Sequence, residues 1–550
     1  MKLKSPLPKA FGIGLIISII ILWHGPIVFA KLLDVPLGDE LYHEVYEFIN
    51  RIVAKNYVTK INPGIRPYSQ DEVAEILIEL NKKVKNGDLK LSRIEEQRLR
   101  NFLLAFIPPL SLPTVDGGEG GGRQDEYLFQ TQSKRHKFGF DFGIGESIIS
   151  RRQKASDSKT GYATLFRPTA SGQIYNNFAF YSDLKVYYLS ATQFPDIPKT
   201  EVRMSQPGKE TKTASLASYY IKTKLPWFEL FFGNDNIHWG PGQHGALLIS
   251  KSPLPMYMIK LTAPYYPVKF QFVTAKLGSN IEDNPLPPFD KGDKYLAAHR
   301  LELNLWRKLR IGVAESIIFA RRFEPIYLNP VQIYTTTEFV LPEARGKNDN
   351  VLISGDIDLT LLKNLELYGE VLIDDYRPFS YGPKNWGNKF GLLFGGYWVD
   401  TFSIADTNLR FEYAFVNQYA YTHSHALNVY THFNSIIGHQ IGTDADNLWL
   451  NLKHYFTDNF AMLLEYQLER HGEGNVNKPH PQGAPDDDEW EFLSGVTEST
   501  HSICLGASYN LIGKYSVAWE YTHSWIKNAD NQNGVNDTNN QVLLSGQYRF

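Results

Sequence analysis

The side chains best suited to contact a ligand lie in a glycine-rich segment between residues 232 and 250. Trp239 precedes a turn in which Pro241 and its two flanking glycines favour a tight, preset bend. An aromatic ring held on such a turn could stack on the face of a sugar. Asn234, Asp235, His238 and Gln243 supply hydrogen-bonding groups for hydroxyls. The alternative is structural, with the loop packed inside the fold as a plug, and the sequence leaves both interpretations open.

Two other clusters could bind metal ions, but neither has the spacing of a metal site. One long segment carries four histidines without a fixed scaffold visible in the sequence, so we expect no resident metal there. They are His423, His425, His432 and His439. The acidic run 486–489 lacks the glycine and the ligand spacing of a calcium loop, which favours a solvated acidic loop. The sequence therefore predicts no metal site and no cofactor.

Catalysis is not indicated either. Six carboxylates fall on strand positions that alternation turns inward, and interleaved arginines predict structural ion pairs there rather than acid–base chemistry. The carboxylates are Glu302, Asp356, Glu366, Glu370, Glu412 and Glu520, and the arginines are Arg300, Arg310 and Arg410. His501 and Ser502 could belong to a hydrolase, but alternation turns Ser502 away from a lipid substrate. We therefore predict a protein without enzymatic activity.

The elements that must position these residues repeat with a period of two. From His136 onward, segments such as 365–374 and 517–521 place apolar and polar residues on opposite sides, as strands do. About 18 such segments can be counted, an even number as bacterial outer-membrane barrels require. The final segment ends on Phe550, with Tyr548 before it, and resembles the terminal signal of such barrels. The expected fold is an all-β transmembrane barrel of about 18 antiparallel strands.

The connections alternate between short and long, which is typical of a barrel with inner turns and outer loops. Short inner turns are predicted at 224–226, 306–308, 362–364, 457–459 and 510–513. Long outer connections are predicted near 148–172, 192–213, 235–255, 277–296, 320–350, 375–387, 419–446, 470–500 and 525–539. This scheme puts Trp239 at the outer mouth of the barrel.

The first 30 residues are typical of a cleaved secretion signal. Three lysines precede an apolar run, Ala30 ends a small-residue cleavage pattern, and His24 to Pro26 cut the run too short for a membrane anchor. Of the 56 Lys and Arg residues, three lie in this leader, which leaves 53 against 59 Asp and Glu. This balance gives no electrostatic case for nucleic acid. The single cysteine, Cys504, excludes an internal disulfide.

Residues 31–110 have a helical period instead. Apolar residues recur every 3.6 positions in three segments, and Ser69 and Ser92 each precede a glutamate by three positions, as in capping boxes. Short amphipathic helices of this kind need a surface on which to bury their apolar stripes. We expect a periplasmic helical bundle at 31–110, a Gly-rich linker at 111–135 and the barrel at 136–550. The glycine run in the linker has no preceding strand and no Lys-Ser/Thr after it, which argues against a phosphate loop.

Two segments carry a resemblance to a known family. One runs from Phe232 through Trp239-Gly240-Pro241-Gly242 to Ser250, and the other runs from Tyr327 through Asn329 to Asp374. They resemble the Wzi-type capsule-assembly family of outer-membrane proteins. The resemblance implies an 18-stranded barrel, a helical bundle against its inner mouth and outer loops folded inward over the lumen. It also implies a lectin-like role in binding and organising an acidic capsular polysaccharide or exopolysaccharide at the cell surface.

On this interpretation the ligand-binding residues are Trp239, His238, Asn234, Asp235, Gln243, Asn329 and Asp374. The expected partners are the polysaccharide, lipopolysaccharide with outer-membrane lipid, and the barrel-assembly machinery, and the expected state is a monomer. The alternative is an outer-membrane porin for passive diffusion, because 18 strands and charged lumen residues would also suit a water-filled path. The sequence leaves open whether the lumen is closed.

Overall fold

The computed structural model describes the parts of the chain that carry the helices and strands. They are residues 32–107, 127–133, 136–153, 157–175, 177–190, 202–204, 212–251, 254–278, 292–306, 308–320, 323–340, 349–375, 382–481 and 483–550. The predicted signal segment 1–30 and the glycine run 117–122 lie outside these ranges. Across the ranges given, no helix has the length and apolar character needed to cross a membrane.

Eighteen antiparallel strands of the described chain close into one barrel, as predicted. They are β1 (His136–Gln153), β2 (Asp157–Ile174), β3 (Phe178–Leu189), β4 (Lys212–Lys224), β5 (Glu229–Asp235), β6 (Met256–Tyr265), β7 (Val268–Leu277), β8 (Lys294–Leu305), β9 (Leu309–Ala320), β10 (Asn350–Leu362), β11 (Leu365–Asp375), β12 (Lys389–Val399), β13 (Thr407–Val416), β14 (Ala445–Tyr455), β15 (Phe460–His471), β16 (Glu498–Leu511), β17 (Tyr515–Lys527) and β18 (Asn536–Arg549). Consecutive strands pair with each other, and β18 pairs with β1 to close the barrel.

The remaining elements are short, apart from three helices near the N-terminus. The helices are α1 (His43–Ala54), α2 (Gln70–Lys85), α3 (Arg93–Phe106) and α4 (Tyr334–Val340). Short strands lie at Ile65–Arg66, Phe129–Gln132, Val202–Met204, His238–Trp239, Thr431–His432 and Ser435–Ile436, and 3-10 turns at Pro325–Leu328, Thr401–Ser403, Ala426–Asn428 and Ala529–Asn531. Phe129–Gln132 pairs with β1, so the predicted linker 111–135 already joins the barrel near its C-terminal end.

Strand alternation turns one face of the barrel wall outward and the other into the lumen, as predicted. On β18, Val542, Leu544 and Tyr548 are 38 to 44% exposed on the outside, whereas Leu543 and Ser545 are buried. The outward side chains of the other strands are likewise mostly apolar. An outer surface of this kind is what a barrel presents to lipid.

The predicted connections are confirmed except at two hairpins. All five predicted inner turns fall between strand ends. However, β1 and β2 are 18 residues each and pair from His136↔Ile174 to Gln153↔Asp157, so the outer loop predicted at 148–172 is wrong. Near the outer ends of β1 and β2, serines, arginines and lysines stand where the alternation would place apolar residues. The period-two pattern therefore did not reveal these parts of the two strands. The predicted loop 525–539 also shortens to 528–535.

The three N-terminal helices form a small domain with its own apolar core, as predicted from their periodicity. Both capping boxes are present: Ser69 Oγ accepts a hydrogen bond from the Glu72 amide at 3.1 Å, and Glu72 Oε2 accepts one from the Ser69 amide at 2.8 Å. The corresponding distances for Ser92 and Glu95 are 3.0 and 2.9 Å. Each box satisfies amides that the first turn of a helix leaves unpaired.

The polar side of α1 packs against charged side chains of the barrel wall at its inner mouth. Glu47 accepts two hydrogen bonds from Arg410, at 2.7 and 2.9 Å, and Glu44 pairs with Lys453 at 2.8 Å. Arg51 pairs with Asp400 in the turn between β12 and β13. All of these groups except Asp400 are buried. Together they join the helical domain to the barrel.

The charged groups of this contact stay ionised because each has an opposite charge beside it. Burial alone would raise the pKa of Glu44, but Lys453 and Arg98 outweigh it and hold the pKa at about 2, below its ordinary value of 4.5. Removing one partner of such a pair leaves an uncompensated buried charge, which typically costs about 3 to 5 kcal/mol.

Glu47→Gln should therefore weaken the docking of the helical domain by about 3 to 5 kcal/mol, since Arg410 loses its counterion. The measurement is the urea concentration at which the helical circular dichroism signal is lost. The matched control is Glu79→Gln, which breaks an equally short but partly exposed pair with Lys83 at 2.7 Å and should cost less than about 1 kcal/mol. Equal effects of the two substitutions would contradict this account.

Acid should also undock the helical domain. Because the folded pKa of Glu44 lies below its ordinary value, its stabilisation is present above pH 4.5 and is lost as the pH falls toward 2. We expect the urea midpoint of the helical signal to fall between pH 5 and pH 2.5. In Glu44→Gln the midpoint should start lower at pH 7 and fall less on acidification. A variant with the wild-type pH dependence would show that Glu44 does not contribute.

Candidate functional site

The loop that contains Trp239 folds into the lumen and reaches the helical domain. After β5 ends at Asp235, His238 and Trp239 pair with Arg66 and Ile65, which lie between α1 and α2. The Gly240 amide donates to the Gly64 carbonyl at 2.9 Å. Residues 236–251 and 254–255, which we call the inner loop, therefore form a layer directly above the helical domain.

Trp239 is buried in this layer, and its position at the outer mouth, expected from the strand count, is wrong. The side chain is 1% exposed, and its indole Nε1 donates to Gln271 Oε1 at 2.8 Å. Its backbone amide donates to the Ile249 carbonyl at 2.9 Å. In this arrangement the ring packs the lumen and contacts no solvent-facing surface.

Two inward carboxylates hold the inner loop by its backbone. Glu370 accepts hydrogen bonds from the amides of Gly242 at 3.0 Å and Leu247 at 2.8 Å. Glu412 accepts from the amides of Gln243 at 2.7 Å and His244 at 3.0 Å. Both carboxylates are buried and were predicted to face the lumen. Their role in the structure is to pair with amide groups that would otherwise be buried without partners.

The close approach of the Glu370 carboxylate to the inner loop requires a glycine at position 240. Its φ is +123°, a conformation that residues with a side chain rarely adopt. A Cβ atom added there would lie 2.3 Å from Glu370 Oε1. The carboxylate of Glu370, which packs against Gly240, therefore explains the first glycine of the Trp-Gly-Pro-Gly sequence.

Two other predicted site residues belong to the same layer. His238 is buried and its Nε2 lies 2.9 Å from the Gly242 carbonyl, and burial lowers the pKa of His238 well below its ordinary value. The half-buried Gln243 accepts hydrogen bonds from Asn50 at 3.0 Å and from Arg66 at 3.4 Å. The His238 side chain therefore makes a contact within the inner loop, and the Gln243 side chain connects this loop to the helical domain.

The remaining predicted site residues lie elsewhere. Asn234 and Asp235 are at the end of β5, where Asn234 Nδ2 donates to the Ala217 carbonyl at 2.6 Å. Asp374 is buried on β11 and accepts from the Tyr421 amide at 2.7 Å. Asn329 is exposed in the loop between β9 and β10. The seven predicted residues therefore do not converge on one site.

The interleaved arginines of the wall form ion pairs, as predicted. Arg300 pairs with Asp356 at 2.5 Å and with Glu302 at 3.2 Å. Arg310 pairs with Asp358 at 2.6 Å and with Glu366 at 2.9 Å. Each of these two arginines bridges two carboxylates of the wall, and the ion pairs stiffen it.

Residues 417–444 form a third layer, which we call the outer plug, above the inner loop. The Ser250 amide donates to the Ile437 carbonyl at 2.9 Å, and the Tyr421 hydroxyl donates to the Leu247 carbonyl. Within it, burial lowers the pKa of His432 to about 4 and that of His439 to about 3. In the described part of the chain no three or more His, Cys, Asp or Glu side chains group as metal ligands. The helical domain, inner loop and outer plug thus fill this part of the lumen in succession.

Above the barrel, two outer loops dock on each other and gather aromatic rings. The Trp386 amide donates to the Asp488 carbonyl at 2.9 Å, and the Trp490 amide donates to the Lys384 carbonyl at 2.9 Å. The ring of Trp386 stacks on His480, with centroids 3.9 Å apart and an interplanar angle of 6°. Backbone pairing between the loop 382–388 and the loop of residues 472–481 and 483–497 therefore fixes the positions of these rings.

A surface of aromatic and acidic groups results. Trp490 packs edge-on against Phe390 at 5.6 Å, and Phe492 lies 5.4 Å from Phe415 while remaining 51% exposed. The carboxylates of 486–489 and of Glu491 are exposed beside them. We call Trp386, Tyr419, His480, Trp490 and Phe492 the outer aromatic cluster. Phe492 is exposed, Trp386, Tyr419 and Trp490 are half-buried, and the His480 side chain is covered by its neighbours. Partly exposed rings flanked by hydrogen-bonding groups can stack on sugar rings and bind their hydroxyls.

Sequence reasoning missed this cluster. Its members come from three loops that are far apart in the chain, so no local spacing marks them. A usable signal was present in Trp490 and Phe492, which directly follow the acidic run that the sequence analysis set aside as a solvated loop.

Comparison with known proteins decides the family. The family model described as "Capsule assembly protein Wzi" matches residues 152–541, more than half of the chain. The chain belongs to the Wzi capsule-assembly family. No curated protein matches the sequence significantly. With its closed barrel and apolar outer face, this Wzi-family protein is an outer-membrane β-barrel, and its helical domain packs against one mouth of the barrel.

One solved structure shares the fold. One similar structure is Wzi of Escherichia coli, described as an outer-membrane protein involved in group 1 capsule assembly and a carbohydrate-binding β-barrel. The TM-score is 0.56 at 12% identity, covering 93% of this chain and 99% of that one. OccK8 (OprE) of Pseudomonas aeruginosa gives 0.44 at 7% identity, covering 75% and 98%, and OccAB4 of Acinetobacter baumannii gives 0.43 at 9%, covering 76% and 99%.

Gly240→Ala tests whether the inner loop closes the lumen. The added methyl group meets Glu370, so the loop should be displaced and single-channel conductance in planar bilayers should rise above that of the wild type. Gly534→Ala is the matched control, because Gly534 also has a positive φ, +78°, but nothing lies within 4 Å of an added Cβ. Unchanged conductance in Gly240→Ala, with the barrel folded, would show that this loop does not limit the path.

Proposed function

We propose that this Wzi-family protein binds capsular polysaccharide or exopolysaccharide at its outer surface and organises it there without catalysing a reaction. The observation that carries the proposal is the outer aromatic cluster, which presents partly exposed rings and carboxylates above the barrel. Escherichia coli Wzi, which shares the fold, is described as carbohydrate-binding, and this supports the same class of ligand here.

The layers inside the barrel would serve this role indirectly. The inner loop and outer plug support the outer loops from below, with Trp239, His238, Gln243 and Asp374 acting as packing and anchoring residues. Among the predicted ligand-binding residues, Asn329 remains on the outer surface, beside the exposed Val331. It is therefore the predicted residue best placed for direct contact with a surface polysaccharide.

The alternative function is that of a porin. The strand number and the charged lumen support this alternative. The three packed layers argue against it, because they occupy the path that a solute would take. Single-channel conductance separates the two functions. A large, steady conductance of the wild-type protein would favour the porin.

The proposal includes three further expectations about partners. Insertion into the membrane would require the barrel-assembly machinery, and the apolar outer wall would contact lipid and lipopolysaccharide. The protein would act as a monomer, because its barrel closes on itself and leaves no strand edge unpaired.

The double variant Trp490→Ala/Phe492→Ala tests the binding surface. Each ring should contribute about 0.5 to 1.5 kcal/mol through stacking, so polysaccharide binding should weaken several-fold to tenfold or more. The measurements are retention of polysaccharide on cells and binding by purified protein, with heat-modifiable migration reporting a folded barrel. Trp306→Ala is the control, because Trp306 is equally aromatic and 81% exposed but lies in an inner turn. Normal retention by the double variant would remove this cluster from the binding site.

A further inference from the structure

The segment between β9 and β10 lies against the outside of the barrel wall. On β9, Ser316 faces the lumen, where its hydroxyl lies 3.0 Å from that of Tyr430 in the outer plug, so alternation turns Ile317 outward. Val313, on the same outward side, is 53% exposed, whereas Ile317 is fully buried. Residues 323–337, which we call the lateral segment, cover this part of the wall.

Two tyrosines of the lateral segment make the contact with the wall. The ring of Tyr327 lies 4.9 Å from that of Phe319, which also faces outward, and it meets Tyr334 edge-on at 5.9 Å. The outward carboxylate of Glu315 accepts hydrogen bonds from the amides of Tyr334 at 2.8 Å and Thr335 at 2.7 Å. A carboxylate that faces hydrocarbon is costly, and this cover removes Glu315 from lipid. Packing and hydrogen bonds together therefore hold the lateral segment on the lipid side of the wall.

The lateral segment also carries a group of apolar side chains that are 37 to 76% exposed. They are Phe323, Ile326, Leu328, Val331 and Ile333. Exposed apolar groups clustered in this way mark a surface that contacts lipid or another partner. Because the wall on either side of the segment is apolar and faces lipid, this surface continues the lipid contact of the barrel.

A groove of about 700 Å³ lies between the lateral segment and the outer face of β4–β8. The lateral segment contributes Phe323 and Leu328 to its lining, and the strands contribute the outward rings of Tyr219, Phe232 and Tyr257. Further outward side chains complete the lining. They are Ile221, Ile259, Thr274 and Tyr295. The volume falls within the range of small-molecule sites, roughly 300 to 1,000 Å³.

The lining of the groove suits a hydrocarbon chain. Among the described residues that line it, Lys276 alone carries a charge, and its ammonium pairs with Asp293 at 2.9 Å. The other lining residues are aromatic, aliphatic or glycine, apart from Thr274. A polar ligand would give up its hydrogen bonds with water there and regain few. A hydrocarbon chain has none to lose, and its burial is favourable.

The position of the groove along the wall determines which lipid can reach it. On β7, Lys269 pairs with Glu72 of the helical domain at 2.5 Å, whereas the Gly278 amide, beyond the other end of the strand, donates to His432 of the outer plug at 2.9 Å. The groove reaches Lys276 and therefore lies toward the end of the barrel that holds the outer plug. On the proposed function this end faces the cell exterior, so the groove opens into the leaflet that carries lipopolysaccharide.

We infer that this groove binds an acyl chain of lipopolysaccharide between the lateral segment and the outward rings of β4–β6. The inference rests on the proposed function only for the orientation of the barrel in the membrane. It assigns a defined lipid site to one part of the wall, separate from the outer aromatic cluster. Asn329 belongs to the lateral segment, so the lipid site and this predicted polysaccharide contact would be neighbours.

The test measures binding of lipid A to the purified full-length protein in detergent by native mass spectrometry. We expect one lipid A to bind in a saturable way. Phe323→Ala/Leu328→Ala removes the side chains that the lateral segment contributes and should weaken binding at least tenfold. Ile259→Trp leaves the lateral segment unchanged and fills the groove from an outward position that is 42% exposed, and it should weaken binding to a similar extent.

Ile311→Ala/Val313→Ala is the matched control. It removes two apolar side chains from the outward face of β9, where they are 37 and 53% exposed and do not line the groove. This variant should bind lipid A like the wild type. Heat-modifiable migration must show a folded barrel in every variant. Wild-type affinity in either groove variant, or an equal loss of affinity in the control, would overturn the inference.

The lipid that stays bound during purification from outer membranes tests the choice of lipopolysaccharide. We expect lipopolysaccharide to remain on the wild-type protein and on the control, and to be depleted on Phe323→Ala/Leu328→Ala. Phospholipid bound to the wild type in place of lipopolysaccharide would overturn that choice.

Polysaccharide retention on cells separates this inference from the proposed function. If retention depends on Trp490 and Phe492 while lipid A binding is unchanged in the groove variants, the proposed function stands and the groove is not a lipid site. If lipid A binding depends on the groove but the protein retains no polysaccharide, the lipid site stands and the proposed organising role fails.

Discussion

The structure depends on the buried ion pairs between α1 and the barrel wall. Glu44 and Glu47 on the helix and Lys453 and Arg410 on the wall are each unfavourable alone, because a buried charge without a partner is costly. The helical domain and the barrel therefore complete each other. The domain in turn offers Ile65–Arg66 as the edge on which the inner loop pairs, and the inner loop supports the outer plug. Each layer is built on the one beneath it.

This layered construction explains how an 18-stranded barrel can act at its outer surface. Strands of this number enclose a wide lumen, and an unfilled lumen would leave long outer loops without support. Here the carboxylates of β11 and β13 fix the inner loop, and the outer plug packs on it. Above them, the loop 382–388 pairs with the loop of residues 472–481 and 483–497. The result is a rigid outer surface held from inside.

The sequence predicted those features of the fold that short-range patterns determine. Alternation gave the strand number, 3.6-residue periodicity and the motifs at Ser69 and Ser92 gave the helices, and interleaved charges gave the wall ion pairs. The predictions failed where contacts between distant segments of the chain determine the structure. Trp239 lies inside because Glu370 and Glu412, more than a hundred residues later, hold its loop by backbone amides. The outer aromatic cluster depends on backbone pairing between the loop that carries Trp386 and the loop that carries Trp490. The strands β1 and β2 extend beyond the apolar part of their own pattern.

The hydrogen bonds that Glu370 and Glu412 accept from backbone amides have a consequence for substitutions in the inner loop. Every residue except proline carries an amide hydrogen, so the loop is held by a feature that most substitutions leave intact. A substitution in the loop therefore acts through the packing of its own side chain, as at Trp239, and leaves the amide hydrogen bonds in place, whereas at Gly240 an added side chain meets the anchor itself. The contacts that hold the inner loop to the wall are thus separate from the contacts that pack its side chains.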